Sequence, residues 1–526
     1  MSEYIFGASI LENVTTGMYR DSRVIYREYI QNACDQIDKA EQAGILNQNE
    51  GKIRIWIDSD ARTISIEDNA TGIKAADFQR ILGNIADSEK KISEDKGFRG
   101  IGRLSGLAYC KKVIFTSSAK GENIISMLTC DAQKMRKMIV EHEQGKKHRA
   151  IDILKAINTF ESRSTEDTDS HFFKVELIDI NKENTDLLDF EATKDYLSFV
   201  APVPYQNTFY YRNDVYKHAA EIGYRIDEYS IKLNGEQVFK KYIADLKEYG
   251  KKYDEIFGVV FHDFYTENGE LFAWLWYGET NFTKAIPHSK ASPSNPMRGL
   301  RLRKNNIQIG SENTLDDLFS EERGNNYFVG EVFAVSKDLI PNSQRDYFNE
   351  TDSRNFFKKE LGSYFCNILQ KIYRDGSDIG SAFKKIDGYE NKKAEFVAKD
   401  AENAFVSKED RESFCEEVQQ AEIKALNARK KLELKKAKAA PDSIVSRIID
   451  RTEKKRASNG SETLTPPVGE LIATSDSKKK VYRANKLSAL PKRKQKLVGE
   501  IFEIIKKHAD KKTAEMLIEK IESELK

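Results

Sequence analysis

The sequence has few cysteines and lacks long apolar runs. Its five cysteines are scattered over 526 residues without a C-x-x-C pair, so neither a disulfide framework nor a zinc site is indicated. No stretch approaches the roughly 18 consecutive apolar residues that a transmembrane helix needs. The N-terminal segment MSEYIFGASI also has no basic region. We therefore expect no signal peptide and no membrane span, and we expect a cytoplasmic location.

An excess of charge of one sign is absent as well. With 85 basic and 84 acidic residues the formal net charge is +1, so no global field favours nucleic acid or a membrane as a partner. Basic residues do cluster locally at 454–456, 478–483 and 492–494. Such runs can bind phosphates with salt-dependent affinity, and they are also typical of a solvated linker. Contact with nucleic acid through this segment therefore stays an open alternative.

The stretch REYIQNACDQID (27–38) is predicted to be a helix, because its apolar residues recur at helical spacing. Glu28, Asn32 and Asp35 lie at i, i+4 and i+7, which places them on a common face. A carboxamide oxygen can ligate Mg²⁺, and a neighbouring carboxylate can polarise a water molecule. This face therefore suits metal-assisted hydrolysis. The alternative is a solvated helix face with no chemical role.

Two further stretches carry nucleotide-binding chemistry, ISIEDNATGI (64–73) and KGFRGIGRLSGL (96–107). The first predicts a half-buried strand that ends at Asp68, followed by a turn. Asp68 could accept a hydrogen bond from the exocyclic amine of a base, or it could form an Asx turn with no ligand. The second can converge backbone N–H groups on a phosphate. Its glycine offsets of 0, 3 and 5 fit neither a P-loop nor a Rossmann fingerprint.

The order and spacing of these three stretches resemble the GHKL ATPase superfamily, which includes gyrase, the ninety-kilodalton heat-shock chaperones, histidine kinases and MutL. That family has E-x-x-x-N on a helix, D-x-G-x-G after a strand, and G-x-x-G-x-G in a lid over ATP. The segment LGNIADSEKK (82–91) is similar to the I-G-T-I-A-x-S-G segment of the chaperones. The resemblance is greatest to heat-shock-90-like (HtpG-like or MORC-like) proteins. It implies an α/β fold with an N-terminal Bergerat sandwich, and ATP and Mg²⁺ as cofactors.

By this resemblance Glu28 is the general base, Asn32 the Mg²⁺ ligand and Asp68 the acceptor of the adenine amine. The implied ATP-binding residues are Asn32, Asp35, Asp68, Asn69, Gly72, Ile73, Gly97, Phe98, Arg99, Gly100, Ile101 and Gly102. Ala70 departs from the family, which has a glycine there. Since alanine can replace glycine where φ is negative, we expect altered turn geometry and retained binding. SHFFKVELI (170–178) stands where the family has a G-T-x-V-x-L strand, but it lacks Gly-Thr.

A second candidate site lies far downstream, in EVFAVSKDLIPNSQRDYFNE (331–350). This stretch is similar to the catalytic loop of the chaperones' middle domain. The matching residues are Leu339, Asn342, Arg345 and Asp346. In that family the arginine reaches the γ-phosphate when the domains close, so Arg345 is implied as a second catalytic residue. The alternative is a surface arginine in a polar loop.

Just upstream, RGLRLRKNNIQIG (298–310) alternates basic and apolar residues. The alternation predicts a pair of strands in the same second domain. Arg301, Arg303 and Lys304 would then face either a partner or water, and we favour water.

Changes in composition and periodicity divide the chain into five segments, and the resemblance implies the nature of the first two. The five segments are an ATP-binding domain (1–185), an α/β middle domain of the S5-like type (186–375), a charged helical or coiled-coil arm (376–440), a flexible basic linker (441–490) and an amphipathic helix (491–526). The apolar stripe of the last segment favours packing on a partner helix, or folding back on the chain's own core. By the resemblance, the first ten or so residues could form a strand that swaps across a dimer. We therefore expect a homodimer.

Two functions fit these motifs. The first is an ATP-binding, slowly hydrolysing dimeric clamp that resembles the heat-shock-90 chaperones and acts on a protein client or partner complex. The alternative is a MORC- or MutL-like ATP-gated nucleic-acid clamp in DNA repair or antiphage defence, which the basic tail favours. A histidine kinase is disfavoured, because the ATP motifs begin near the N-terminus and the seven histidines are dispersed.

Overall fold

The computed structural model describes residues 7–15, 21–84, 102–289, 293–458 and 490–525. The chain divides into two compact units, one of residues 1–280 with 285–368 and the other of residues 281–284 with 369–526. Within the described residues the first unit is α/β with two large sheets, and the second is helical. The predicted fold class, α/β followed by a helical C-terminal region, is therefore confirmed.

The first sheet of the first unit contains eight strands among the described residues. They are β1 (Lys52–Asp58), β2 (Thr63–Asp68), β3 (Cys110–Ser118), β4 (Ile124–Asp131), β5 (Asn158–Ser164), β6 (Phe172–Ile180), β7 (Ser230–Leu233) and β8 (Glu236–Gln237). Their spatial order is β5-β4-β3-β6-β2-β1-β7-β8. Neighbours are antiparallel, except that β7 runs parallel to β1.

One face of this sheet forms the first hydrophobic core. In β1 the side chains of Ile53, Ile55 and Ile57 are buried and the residues between them are exposed, as expected of a half-covered strand. Helices cover the apolar face. They are α1 (Ser9–Thr15), α2 (Val24–Gln42), α3 (Ala75–Gly83), α4 (Ala132–Glu143), α5 (Ala150–Ile157) and α6 (Phe190–Val200). Asp131 and Asp189 cap α4 and α6 by accepting backbone N–H bonds.

The second sheet follows α7 (Arg212–Glu221) and a hairpin. The hairpin is β9 (Asp245–Glu248) with β10 (Lys251–Glu255), and the sheet strands are β11 (Gly258–Tyr265), β12 (Leu271–Glu279), β13 (Gly299–Lys304), β14 (Ile307–Gln308) and β15 (Val329–Ala334). Their order is β11-β12-β15-β13-β14. β12 and β15 are buried along almost their whole length, so both faces of the sheet are covered. Trp274 stacks on Phe333 at a centroid distance of 4.3 Å, and α8 (Asp352–Tyr364) closes the unit.

A buried charge cluster lies within this second sheet. The carboxylate of Glu331 accepts hydrogen bonds from Arg303 and from Lys240, the latter at 3.0 Å, and Tyr242 donates to it at 3.2 Å. Arg303, Lys240 and Glu331 are fully buried. Burial raises the pKa of Glu331, but the charges of Arg303 and Lys240 outweigh this effect and hold the pKa at about 2.

This cluster corrects one expectation from the sequence. The strand pair at 298–310 exists as β13 and β14, but water does not cover its basic residues. Arg301 and Arg303 are buried, and Lys304 donates to backbone carbonyls at residues 335 and 336. The alternation could not reveal this, because the carboxylate that binds Arg303 comes from β15, a strand distant in sequence.

The second unit is built from helices. They are α9 (Gln370–Ala401), α10 (Lys408–Lys438), α11 (Ile444–Ser458), α12 (Lys492–His508) and α13 (Lys511–Glu524). α9 and α10 pair antiparallel through apolar contacts and ion pairs, among them Lys392 with Glu417 at 2.6 Å. No described helix has the length and apolarity to cross a membrane.

Two details of this unit differ from the sequence-based expectation. The region predicted as a flexible linker contains α11, because Ile448 and Ile449 are buried and hold it as a helix; residues 459–489 lie outside the described part. The single predicted C-terminal helix is in fact two helices. The first ends before Ala509, and Asp510 caps α13 by accepting the N–H of Thr513.

The buried charge cluster generates a stability prediction. Glu331→Gln removes the carboxylate that Arg303 and Lys240 share, and it leaves two buried cations without a counter-charge. We expect the free energy of unfolding of the first unit to fall by about 3–5 kcal/mol, measured by urea denaturation. Glu141→Gln, in the exposed pair with Lys146, is the control and should cause no measurable change. Equal stability of the two variants would contradict the role of the cluster.

Candidate functional site

The polar face of α2 is largely removed from solvent. Glu28 is 7% exposed and Asp35 is 3% exposed, while Asn32 is partly buried. Arg27, which the sequence reasoning did not single out, is also buried. A solvated helix face would expose these side chains, so the structure excludes that alternative for Glu28 and Asp35. Burying charged groups is costly and is typical of functional sites.

The Glu28 carboxylate lies between two arginines. Its Oε1 atom is 3.5 Å from Nη2 of Arg27 and 3.6 Å from Nε of Arg345. Gly102 lies on the other side, where an added Cβ would be 2.5 Å from Oε2. Within the described part of the chain, Oε1 is buried and has no hydrogen-bond partner. The positive charges of the two arginines therefore stabilise the carboxylate. Its Oε1 atom makes no described hydrogen bond and could accept a proton from water.

The loop that carries Arg345 is held in a defined conformation. Arg345 adopts the left-handed region with φ of 54°, which is unfavourable for a residue with a side chain. Its carbonyl accepts the N–H of Gly310 at 2.8 Å, and Arg27 donates to the carbonyl of Gln344 at 3.2 Å. Leu339 is buried at the start of the loop. Strain that is held by surrounding contacts in this way is common at functional sites.

The other two matched residues of this loop do not face Glu28 in any described contact. Asn342 donates through Nδ2 to Asp346 at 2.5 Å, and Asp346 is exposed. This bond stabilises the loop, whereas the side chain of Arg345 and the carbonyl of Gln344 contact α2.

The turn after β2 is built around Asp68. Its carboxylate is buried and accepts the N–H of Ala70 at 3.0 Å. Burial raises the pKa of Asp68 to about 7. Gly72 has φ of +63°, and an added Cβ would lie 1.8 Å from the carbonyl oxygen of Ser118, so this position requires glycine.

The remaining residues predicted at this turn act through the backbone or support it. Asn69 accepts the N–H of Lys52 at 2.6 Å and donates to the carbonyl of Glu50 at 3.1 Å, so its amide braces the start of β1. The N–H of Ile73 donates to the hydroxyl of Ser117 at 2.8 Å. These contacts hold the turn in place, and the ATP-binding role that the sequence predicts for both residues stays a prediction.

His171 is a residue of this site that the sequence reasoning missed. Its Nδ1 lies 2.6 Å from the carbonyl oxygen of Ala70, and it thereby ties the turn to the start of β6. Ala70 is buried and does not adopt a positive φ, which explains how alanine is accommodated at this position. One feature of the sequence could have pointed to His171. It stands directly before β6, in the segment where the GHKL family has a Gly-Thr pair that this chain lacks.

The glycine-rich segment is described only at its end. Gly97, Phe98, Arg99, Gly100 and Ile101 lie outside the described residues. Gly102 begins a short 3-10 helix, Gly102–Ala108. The hydroxyl of Tyr29 on α2 donates to the carbonyl of Arg103 at 3.0 Å. The C-terminal end of this segment is therefore anchored directly beside Glu28.

Comparison with known proteins finds relatives of the N-terminal part of the chain. Residues 23–165 match the family described as histidine kinase-, DNA gyrase B- and HSP90-like ATPases. The chaperone protein HtpG of Psychrobacter cryohalolentis is 34% identical over 133 residues, which are 22% of this chain and 20% of that protein. HtpG of Chromobacterium violaceum is 33% identical over 131 residues, 22% of this chain and 21% of that protein.

The chain thus spans about a fifth of the length of these curated relatives. Its N-terminal part contains a GHKL-type ATPase domain similar to the heat-shock-90 proteins, which confirms the resemblance drawn from the motifs.

The raised pKa of Asp68 generates a pH prediction. Between its ordinary value and about 7 the folded chain binds a proton at Asp68 that the unfolded chain does not, so this residue lowers stability as pH rises through that range. Asp68→Asn removes this dependence. We expect the melting temperature of the variant to rise relative to wild type between pH 4 and pH 8. Asp58→Asn, at an exposed strand end, is the control, and parallel curves for all three proteins would contradict the prediction.

Proposed function

We propose that this chain is a slow ATPase in which ATP binding drives closure of a dimeric clamp on a protein client or partner complex. The observation that carries the proposal is the position of Arg345 beside Glu28, two buried side chains far apart in sequence whose charged atoms lie 3.6 Å apart. A carboxylate that activates water and an arginine that stabilises phosphate charge are two groups that commonly catalyse phosphoryl transfer to water.

ATP would bind with its base at the β2 turn and its phosphates toward α2. Asp68 would accept the adenine amine at this turn, where Gly72 lets the backbone approach the carbonyl of Ser118 closely. Asn32, on the face of α2 shared with Glu28, would hold Mg²⁺, which neutralises phosphate charge when bound. Buried Nε of Arg27 and Oε1 of Glu28, both without a hydrogen-bond partner in the described residues, fit a polar ligand at this end.

Hydrolysis would then be catalysed by Glu28 and Arg345, which already lie next to each other. Glu28 accepts a proton from the attacking water, and Arg345 shares the charge that develops on the γ-phosphate. Arg27 contacts both Glu28 and the loop of Arg345, so it positions the two groups relative to each other. Turnover should be slow, because lid closure and dimerisation must precede the chemical step.

Dimerisation is proposed from the C-terminal helices. Leu497, Ile501 and Ile504 lie at i, i+4 and i+7 of α12 and are 57%, 40% and 61% exposed. An apolar stripe of this kind is typical of helices that pack on a partner. The relatives that carry the name chaperone support a protein client as the object of the clamp.

The nucleic-acid clamp is the second candidate, and the described basic residues favour it less. Lys454 and Lys455 are exposed, but Arg456 is bound to Asp387 and Glu390. The run at 478–483 lies outside the described residues.

The central prediction concerns Glu28 and Arg345. Glu28→Ala should retain ATP binding and lose hydrolysis by about 10²–10⁴-fold, because the general base is removed. Arg345→Ala should lose about 10³-fold or more in turnover, because the phosphate charge is no longer stabilised. Turnover and nucleotide affinity are measured on the full chain, alone and with DNA, RNA or an unfolded protein.

Arg323→Ala is the matched control for loss of an arginine, since Arg323 forms an exposed ion pair with Glu321. Its turnover should equal wild type. Normal hydrolysis by Glu28→Ala would show that the assigned base is wrong. Stimulation by nucleic acid and not by unfolded protein would move the assignment to the second candidate.

A further prediction tests the dimer. Ile504→Glu places a charge in the exposed stripe of α12, so we expect the dimer to dissociate to monomers at micromolar concentration, measured by light scattering after size-exclusion chromatography. Tyr249→Glu changes another highly exposed apolar residue and should leave the dimer intact. A monomeric wild type, or an unchanged Ile504→Glu dimer, would argue against this interface.

A further inference from the structure

β11 is an edge strand whose outer side has no partner strand in the described part of the chain. It lies at one end of the five-stranded sheet, and β12 is the one described strand that pairs with it. The strand is eight residues long, and its pairing is regular until a shift of register between Phe264 and Tyr265. Backbone N–H and C=O groups alternate in direction along a strand, so about half of them point away from β12. These outward groups are the ones that another strand would bind.

Helices fix the side chains of β11 on both faces of the sheet. On one face His218 of α7 stacks on Phe261 at a centroid distance of 4.2 Å, and its Nε2 lies 2.8 Å from a carboxylate oxygen of Asp263. On the opposite face Tyr364 of α8 stacks on His262 at 4.0 Å. These contacts hold the strand extended, so an incoming strand would meet an edge that is already formed.

The other described edge strands of the two large sheets are protected against such pairing. β8 and β14 have two residues each, and β5 exposes the charged side chains of Glu161 and Arg163. Short edges and exposed charges are common devices that prevent a strand from pairing with another chain. β11 has neither, since it contains no proline, lysine or arginine, and its one acidic residue, Asp263, is bound to His218.

The charge around this edge indicates which partner fits it. From the start of β11 to the start of β12 the chain contains the acidic residues Asp263, Glu267 and Glu270 and no lysine or arginine. Glu267 and Glu270 are exposed in the turn that joins the two strands. An apolar segment flanked by basic residues complements both this charge and the partly exposed side chains of Val259 and Val260. A second copy of β11 offers no basic side chain of its own, so it is the less favourable occupant.

We propose that the outer edge of β11 binds an extended apolar segment of a protein client, flanked by basic residues, as an additional strand of the sheet. The inference rests on the proposed function and adds to it the place where the client is held. Affinity from main-chain hydrogen bonds depends little on the sequence of the bound strand, which suits unfolded clients of varied sequence. β15 of the same sheet leads into the loop of Arg345, so the client would extend the sheet that supports this loop.

The test uses a fluorescent peptide of alternating valine and threonine with lysines at both ends. It is titrated with the full chain in the absence of nucleotide, and binding is followed by fluorescence anisotropy. We expect saturable binding to wild type. Methylation of two adjacent backbone nitrogens in the middle of the peptide removes a donor from each of its edges and leaves the side chains unchanged. The affinity of the methylated peptide should therefore be lower by about tenfold or more, because hydrogen bonds to β11 are lost.

Two protein variants locate the binding at β11. Val260→Lys adds a charge to the edge and should weaken binding of the lysine-flanked peptide about tenfold. Glu267→Lys reverses the charge of the exposed turn and should weaken it about two- to fivefold at low ionic strength, whereas a glutamate-flanked peptide should bind this variant more tightly than it binds wild type. Ser162→Lys, on the charged edge strand β5, is the control and should bind both peptides as wild type does.

Wild type that does not bind the peptide, equal affinity for the methylated peptide, or unchanged affinity of a folded Val260→Lys would each overturn the proposal. If Val260→Lys does not fold, Glu267→Lys decides, because its altered preference depends on an exposed turn alone. A wild-type dimer that Val260→Lys dissociates, with peptide affinity unchanged, would assign the edge to a second copy instead. ATP turnover is measured separately without peptide, so a chain that binds the peptide and does not hydrolyse ATP would contradict the proposed ATPase and not this site.

Discussion

The burial of one carboxylate, Glu28, is the constraint on which the site depends. A charged group that is withdrawn from water must be compensated, and the compensation comes from two directions. Arg27 precedes it on the same helix, and Arg345 arrives from a loop beyond the second sheet. Gly102 leaves the carboxylate room on the third side. These contacts bring the glycine-rich segment, α2 and the arginine loop to one point.

The second sheet contributes by fixing where that loop begins and ends. β15 leads into the loop, and β14 ends next to Gly310, whose N–H binds the carbonyl of Arg345. Beneath these strands the carboxylate of Glu331 holds Arg303 and Lys240 in the core. Because a buried ion pair tolerates little displacement, the cluster gives the loop a rigid base. The left-handed conformation of Arg345 is held by the hydrogen bond between its carbonyl and the N–H of Gly310.

The similarity to known chaperones is confined to part of this arrangement. The family match covers residues 23–165, whereas Arg345 and the helical unit lie well beyond it. Both sheets nevertheless fall in one compact unit. The contact of Arg345 with Glu28 therefore joins the part of the chain that the family match covers to a loop beyond it.

Much of the site was determined by the sequence alone, because it depends on local rules. Helical spacing put Glu28 and Asn32 on one face, a strand ending at Asp68 predicted the turn, and the need for a positive φ explains Gly72. The fold class followed from the resemblance that these motifs carry. Each of these features depends on residues that lie within a few positions of one another, so it can be read from the sequence directly.

Other features were decided by tertiary structure, since their partners are distant in sequence. The charge pattern of β13 predicted solvent exposure, and only the arrival of Glu331 from β15 made Arg303 a core residue. His171 joins the turn only because β6 pairs with β2. Burial of a charge depends on which groups the fold brings to it, and that is a property of the assembled chain.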